Sequence, residues 1–205
     1  MPNYCSNTLT LGHDDPEMIK RAALALDRGE LLQEFIPVPL ELKETMSGWV
    51  SDPAAQAALD AQNQKNLATY GYANWYDYCV GEWGTKWDCG EPGCTEIRPD
   101  GKMLVTSFDS AWSPPCDAYA KLLELGFTVN AMYYEPGVGF CGAWEDGVDD
   151  CYDISGMDSN AVADEIPDYI DDAFGIVESM QEYEAEAEEE LTTWIKEGAE
   201  ARKDA

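Results

Sequence analysis

The sequence predicts an α+β fold in which helices cover one face of an antiparallel sheet. Three observations predict it: segments with a two-residue apolar alternation, capped stretches with a helical apolar stripe between them, and a charge division that leaves an acidic helical tail. Tyr4 to Leu11 alternates, with Cys5, Leu9 and Leu11 on one face and Thr8 and Thr10 on the other, the pattern of a half-buried strand. After a turn at Gly12 and His13, Asp14 or Asp15 caps a helix. Pro16 suits its first turn, Ile19, Ala22, Ala23 and Leu26 form its stripe, and Gly29 closes it. Phe35 to Leu40, broken by Pro37 and Pro39, reads as an edge segment or an extended connection. Asp52-Pro53 opens an alanine-rich helical stretch that continues through Leu67, Tyr72, Trp75, Tyr76, Cys79, Val80 and Trp83 to Gly84, and Thr85 to Asp88 begins a strand. Met103 to Trp112 is a strand with Leu104, Thr106, Phe108, Ser110 and Trp112 on one face. Ser113-Pro114-Pro115 caps a short helix whose Tyr119, Leu122 and Leu123 face inward, and Phe127 to Glu135 alternates again with Phe127, Val129, Ala131 and Tyr133 together. In order this is βαββαβ, the ferredoxin-like split βαβ arrangement of four antiparallel strands with both helices on one face. The expected organisation is an α+β domain over residues 1–147 with a helical insertion at about 41–83, then an acidic linker and helix over 148–205.

At 205 residues the chain is long enough to bury a core without disulfides or a metal. Its 41 acidic against 12 basic residues give a net charge of −29, which disfavours DNA, RNA and anionic membranes, whose binding relies on Lys and Arg. Residues 1–144 carry 20 acidic and 9 basic side chains, whereas 145–205 carry 21 and 3. No apolar run spans a membrane and no signal peptide opens the chain, so a cytoplasmic location is expected, with the seven cysteines as reduced thiols.

Five blocks carry a resemblance: Met1 to Asn7, Asn74-Trp75-Tyr76-Asp77, Trp83 to Asp88, Phe108 to Pro115, and Tyr133 to Gly137 running on to Phe140 to Trp144. In these the chain resembles the YubB-like ferredoxin-fold family of phage and plasmid accessory proteins over about residues 1–147. It departs at Tyr4, where tryptophan is expected, and in the Cys89 to Cys94 loop. The resemblance implies a ferredoxin-like fold, a mobile-element origin and work inside a bacterial host, and it implies no catalytic residues.

Trp83, Lys86, Trp87, Asp109, Trp112 and Glu135 form a candidate pocket in which Lys86 faces Asp88, Asp109 or Glu135; the same aromatics also suit a helix–sheet core, which is the favoured reading. The turn after Tyr134, with Pro136, Gly137 and Gly139, lacks the lysine of a phosphate loop and reads as a structural bend. Cys89 and Cys94 have half of a zinc knuckle, joined only in principle by Cys79 and Cys116, and read first as free thiols in a hairpin loop. A single histidine, His13, expected to be exposed, leaves triads and multi-histidine metal sites without their parts. Asp146, Asp149, Asp150, Asp153 and Asp158 lack the EF-hand glycine and glutamate, which leaves weak divalent binding at most. Pro2, as an N-terminal amine after loss of Met1, lacks an identifiable partner acid and reads as a lead into the first strand.

The C-terminal stretch places Ile166, Ile170, Ala173, Val177, Met180, Glu184, Ala187, Leu191 and Trp194 on one heptad seam, with Glu184 as the polar intruder. A helix over about 167–198 would be roughly 45 to 50 Å long. Glu182, Glu184, Glu186, Glu188, Glu189 and Glu190 make it acidic, and like charges at i and i+4 make it depend on packing or a partner. It either docks on its own domain or imitates a row of phosphates in front of a basic protein. The leading expectation is a non-enzymatic binding protein or inhibitor, without cofactors or resident metal. It would engage a host protein with a basic surface, a nucleic-acid-handling defence component, through those glutamates and the apolar anchors Leu191 and Trp194. The alternatives are a small-ligand binder or enzyme at the Trp/Lys/carboxylate pocket, and a structural protein that self-associates as a homodimer through the C-terminal helix.

Overall fold

The computed structural model describes residues 3–90 and 92–201, with side chains through Ile195; Pro2 therefore lies outside the described residues. The chain divides into two compact units, Met1–Cys151 and Tyr152–Ala205.

In the first unit β1 (Tyr4–Gly12) buries Cys5, Asn7, Leu9 and Leu11, as its alternation requires. Helix α1 (Pro16–Leu26) takes Asp15 as its cap, the carboxylate accepting the Glu17 N–H, and buries Ile19, Ala22, Ala25 and Leu26. The segment that follows is more helical than its prolines indicate. Short helices α2 (Leu31–Phe35) and α3 (Leu40–Lys43) flank an irregular stretch at 36–39. The long helical stretch is two helices, α4 (Pro53–Tyr70) and α5 (Trp75–Trp83). Gly71 ends α4 in the left-handed conformation at φ 80°, and Asn74 starts α5 by accepting the Tyr76 and Asp77 N–H groups.

Thr85 to Asp88 is not a strand. The second strand is the short β2 (Glu96–Ile97), which leads through the turn at Asp100-Gly101 into β3 (Met103–Ala111). Helix α6 (Cys116–Glu124) then buries Ala118, Tyr119 and Leu122. It has no side-chain cap: Ser113 instead donates its hydroxyl to the Gly84 carbonyl. β4 (Thr128–Glu135) follows, and then two strands absent from the sequence reading, β5 (Phe140–Glu145) and β6 (Val148–Asp153).

The sheet is six-stranded in the order β2-β3-β1-β4-β5-β6. Its first four members have the antiparallel split βαβ order, extended by β5 and β6. Register stacks the inward residues in rows: Leu11 lies opposite Leu104 and Val129, Leu9 opposite Thr106 and Ala131, and Asn7 opposite Phe108 and Tyr133. α1 and α6 cover these rows together with Trp83, Phe127 and Trp144. Each fully buried leucine, isoleucine or phenylalanine there contributes roughly 1.5–3 kcal/mol. Buried Asn7 is satisfied within the sheet, donating to Cys5 O and Ser110 Oγ and accepting from the Tyr119 hydroxyl. Gly142, opposite Tyr133, must be glycine because an added Cβ would sit 2.4 Å from the Tyr133 hydroxyl oxygen.

In the second unit α7 (Ser159–Glu165), capped by Asp158, and α8 (Asp168–Phe174) each pack on α9 (Ile176–Ala201). The expected continuous helix from 167 is thus broken at Gly175, left-handed at φ 62°, and Asp171 accepts the Val177 N–H as α9 begins. Val162, Ile166, Ile170 and Ile176 are buried. Among the described residues no helix is long and apolar enough to cross a membrane.

Candidate functional site

Two surfaces have features that the core does not account for. The first is a cleft of about 320 Å³ in the first unit, lined by Gly29, Glu30, Gln33, Val38, Lys43, Trp75, Cys79, Trp83, Lys86, Trp87 and Asp88. Its back wall comes from α5. Asn74 caps that helix, and the spacing of Trp75, Cys79 and Trp83 puts one side chain per turn on the same face. Trp83 is buried and donates its indole N–H to the Ile36 carbonyl, which ties α5 to the irregular stretch after α2.

The floor is held by Asp88. Helix α2 has no side-chain cap of its own, and the Asp88 carboxylate supplies one from 55 residues away, accepting the N–H groups of Leu32 (2.8 Å) and Gln33 (2.7 Å) as well as that of Cys89 (2.8 Å). Burial raises its carboxyl from 3.8 to about 6, against the pull of those three donors.

Among the described residues Lys86 forms no ion pair with Asp88, Asp109 or Glu135. Its ammonium lies 4.5 Å from the Trp87 ring centroid, 5.0 Å from Trp112 and 5.9 Å from Tyr76, within cation–π range of all three. Trp112 reaches this position because its backbone turns left-handed, φ 70°, directly after β3, so it is not a further inward residue of that strand. A left-handed non-glycine costs of order 1–3 kcal/mol, and here it sets an indole over a lysine.

Of the six residues that the sequence groups as a pocket, Trp83, Lys86 and Trp87 line the cleft and Trp112 joins them through Lys86. The other two do separate work. Asp109 is exposed on the far side of its strand and accepts from Ser6 Oγ, whereas Glu135 is fully buried and accepts the N–H groups of Gly137 and Val138, closing the β4–β5 turn. Lys43 and Gln33 have no signal in the sequence, since α2 and α3 reach the cleft only through tertiary packing, and Trp75 is legible there only as part of an aromatic helix face. Cys89 and Cys94 differ in setting: Cys89 is a core residue whose thiol burial drives well above the ordinary value, and Cys94 is exposed. Among the described residues no cysteine forms a disulfide, and no three His, Cys, Asp or Glu side chains cluster as a metal site. Asp149 accepts from the Tyr133 hydroxyl, Asp153 from Ser155, and Asp158 caps α7. His13 is half-buried rather than exposed; it accepts the Asp15 N–H and packs on Phe127.

The second surface is the outer part of α9. Glu182, Glu186, Glu188, Glu189 and Glu190 are exposed, as are Tyr183, Leu191, Trp194 and Ile195, with Trp194 at 72%. Glu184 differs from its neighbours: it accepts the Ser159 N–H (2.8 Å) and hydroxyl (2.7 Å), so it anchors the start of α7 instead of facing a partner. The polar intruder in the heptad seam is therefore a link between helices. Beyond it every described position through Ile195 is exposed.

No protein-family model matches the chain, and no curated protein does. Among solved structures it is similar to the protein api92 from Yersinia pseudotuberculosis, described under the family model DUF1281. The TM-score is 0.40 at 10% identity over 75% of this chain and 98% of that one.

Proposed function

We propose that this chain is a non-enzymatic accessory protein that binds and blocks a nucleic-acid-handling protein through the acidic outer part of α9. The observation that carries this reading is the run from Ala185 to Ile195. It is fully exposed, rich in glutamate on its flanks, and has Leu191, Trp194 and Ile195 at adjacent turns of one face. The pairs Glu182–Glu186 and Glu186–Glu190 each disfavour an isolated helix by about 0.2–0.5 kcal/mol, and a surface rich in Lys and Arg would remove that cost. A basic nucleic-acid channel supplies such a surface, and Trp194 and Leu191 supply apolar anchors of the kind that dominate interface energies. Self-association along the same helix is the weaker reading, because a second copy brings its own glutamates against the first. The bacterial-host and mobile-element setting implied by the sequence resemblance gives such an inhibitor a target class, the host's defence proteins.

The test is affinity capture from bacterial lysate with the full chain, set against a variant carrying Glu186→Gln, Glu188→Gln, Glu189→Gln and Glu190→Gln but retaining Glu184. The expected result is a basic nucleic-acid-binding protein held by the parent, released by added salt and by competing duplex DNA, and absent from the variant. A partner retained by both chains and indifferent to salt and DNA would overturn the reading.

A further inference from the structure

The cleft beside α5 has a chemistry independent of the acidic helix. Four groups with formal charge line it, Glu30, Lys43, Lys86 and Asp88, and the two acids are already engaged. Asp88 accepts three backbone N–H groups, and Glu30 pairs with Arg28 at 3.2 Å. The two lysines have no carboxylate within ion-pair distance among the described residues. Aromatic rings attract the Lys86 ammonium but are poor hydrogen-bond acceptors, so its N–H donors remain available while its position is held. The residual capacity of the cleft is that of a donor and a cation, even though the protein as a whole is at −29.

Three indoles supply the largest side chains of the remaining wall, beside Gly29, Gln33, Val38 and Cys79. Trp75 is half-buried and Trp87 is 41% exposed, so both leave ring surface facing the opening, whereas Trp83 spends its N–H on Ile36 and presents only apolar surface. At about 320 Å³ the space is at the lower end of small-molecule sites. A cation is the wrong occupant despite the aromatic lining, because Lys86 already lies against Trp87, Trp112 and Tyr76. We propose that this cleft binds a small planar aromatic anion, its ring stacked on Trp75 and Trp87 and its carboxylate or phosphate held by Lys86 and Lys43. The left-handed backbone at Trp112 supports a built site, since it presses a third ring onto a lysine that forms no ion pair among the described residues.

The experiment is isothermal titration calorimetry of the full chain with adenosine 5′-monophosphate and with indole-3-acetate, followed in parallel by tryptophan fluorescence. Adenosine and inorganic phosphate, each carrying half of the chemistry, serve as comparisons, and choline tests the cation alternative. The expected result is binding of at least one aromatic anion below ~1 mM, with adenosine and phosphate each weaker by about tenfold or more. Lys86→Met should weaken that anion by about tenfold, the scale of one charge-assisted contact, and Trp87→Ala should weaken it comparably. Lys102→Gln, immediately before β3 and paired with Asp14, should leave it unchanged. Circular dichroism confirms that each variant is folded, and Lys43→Gln, at an exposed position, provides a second lysine variant if Lys86→Met is not. Failure of both anions to bind below ~1 mM, equal affinity in the folded lysine variants, or preference for choline would overturn the proposal.

Discussion

Asp88 makes the least conventional use of a side chain in the molecule. A carboxylate half-buried beside a tryptophan-lined cleft is costly, and it takes up the first N–H groups of α2, which have no other acceptor side chain among the described residues. Its carboxyl is raised in the folded protein, so the native state holds a proton that the unfolded chain has released between about pH 4 and about pH 6. The stabilisation is complete below about pH 4 and is lost as the pH rises through 6, a difference of about 3 kcal/mol. Asp88→Asn should flatten that part of the stability profile, as measured by urea unfolding at a series of pH values. An unchanged slope would mean that the three N–H donors cancel the effect of burial. Other buried groups are simpler: burial pushes the Cys5 and Cys79 thiols up to about 12, which makes them core residues rather than nucleophiles.

At the scale of elements, the second unit is joined through side chains placed at helix starts. Glu184 of α9 accepts both donors of Ser159, and Asp171 of α8 accepts the Val177 N–H in the first turn of α9. Glu184→Ala would leave the buried Ser159 donors without an acceptor, at a cost of about 1–3 kcal/mol. The measurement is amide hydrogen exchange over residues 159–162, where protection should fall by roughly tenfold or more; unchanged protection would show that Asp158 alone holds the start of α7. These links also show what the sequence could and could not convey. β1, α1, β3, α6 and β4 were legible because alternation and capping are local signals. The β5–β6 hairpin was equally local and was missed: Asp146 (φ 44°) and Gly147 (φ 97°) form the Asp-Gly turn that favours such hairpins. The division between α4 and α5 was likewise written at Gly71 and Asn74 but masked by the continuing aromatic spacing. Neither the α2 cap nor the partner of Glu184 has a local signature, because each joins segments far apart in the chain. For the same reason Trp83, Lys86 and Trp87 are legible as a cluster, whereas Lys43 is not, and Asp109 and Glu135 lie outside the cleft lining.

For the whole molecule, charge is the dominant variable. At −29 the compact state repels itself, and raising the ionic strength from about 0.01 M to about 0.15 M shortens the screening length from about 30 Å to about 8 Å. The melting temperature should rise across that range, by roughly 2–4 °C for each kcal/mol of relieved repulsion, as followed by calorimetry. A melting point independent of salt would mean that the acidic side chains are too dispersed to interact. The Asp88 cap has a further consequence for heredity. The stretch 41–83 carries Trp83, whose indole is bonded to Ile36 before it, and Trp75, which shares the cleft with Asp88 after it. A recombination event, natural or engineered, that moved the insertion alone would transplant Trp75 and Trp83 without the floor beneath them.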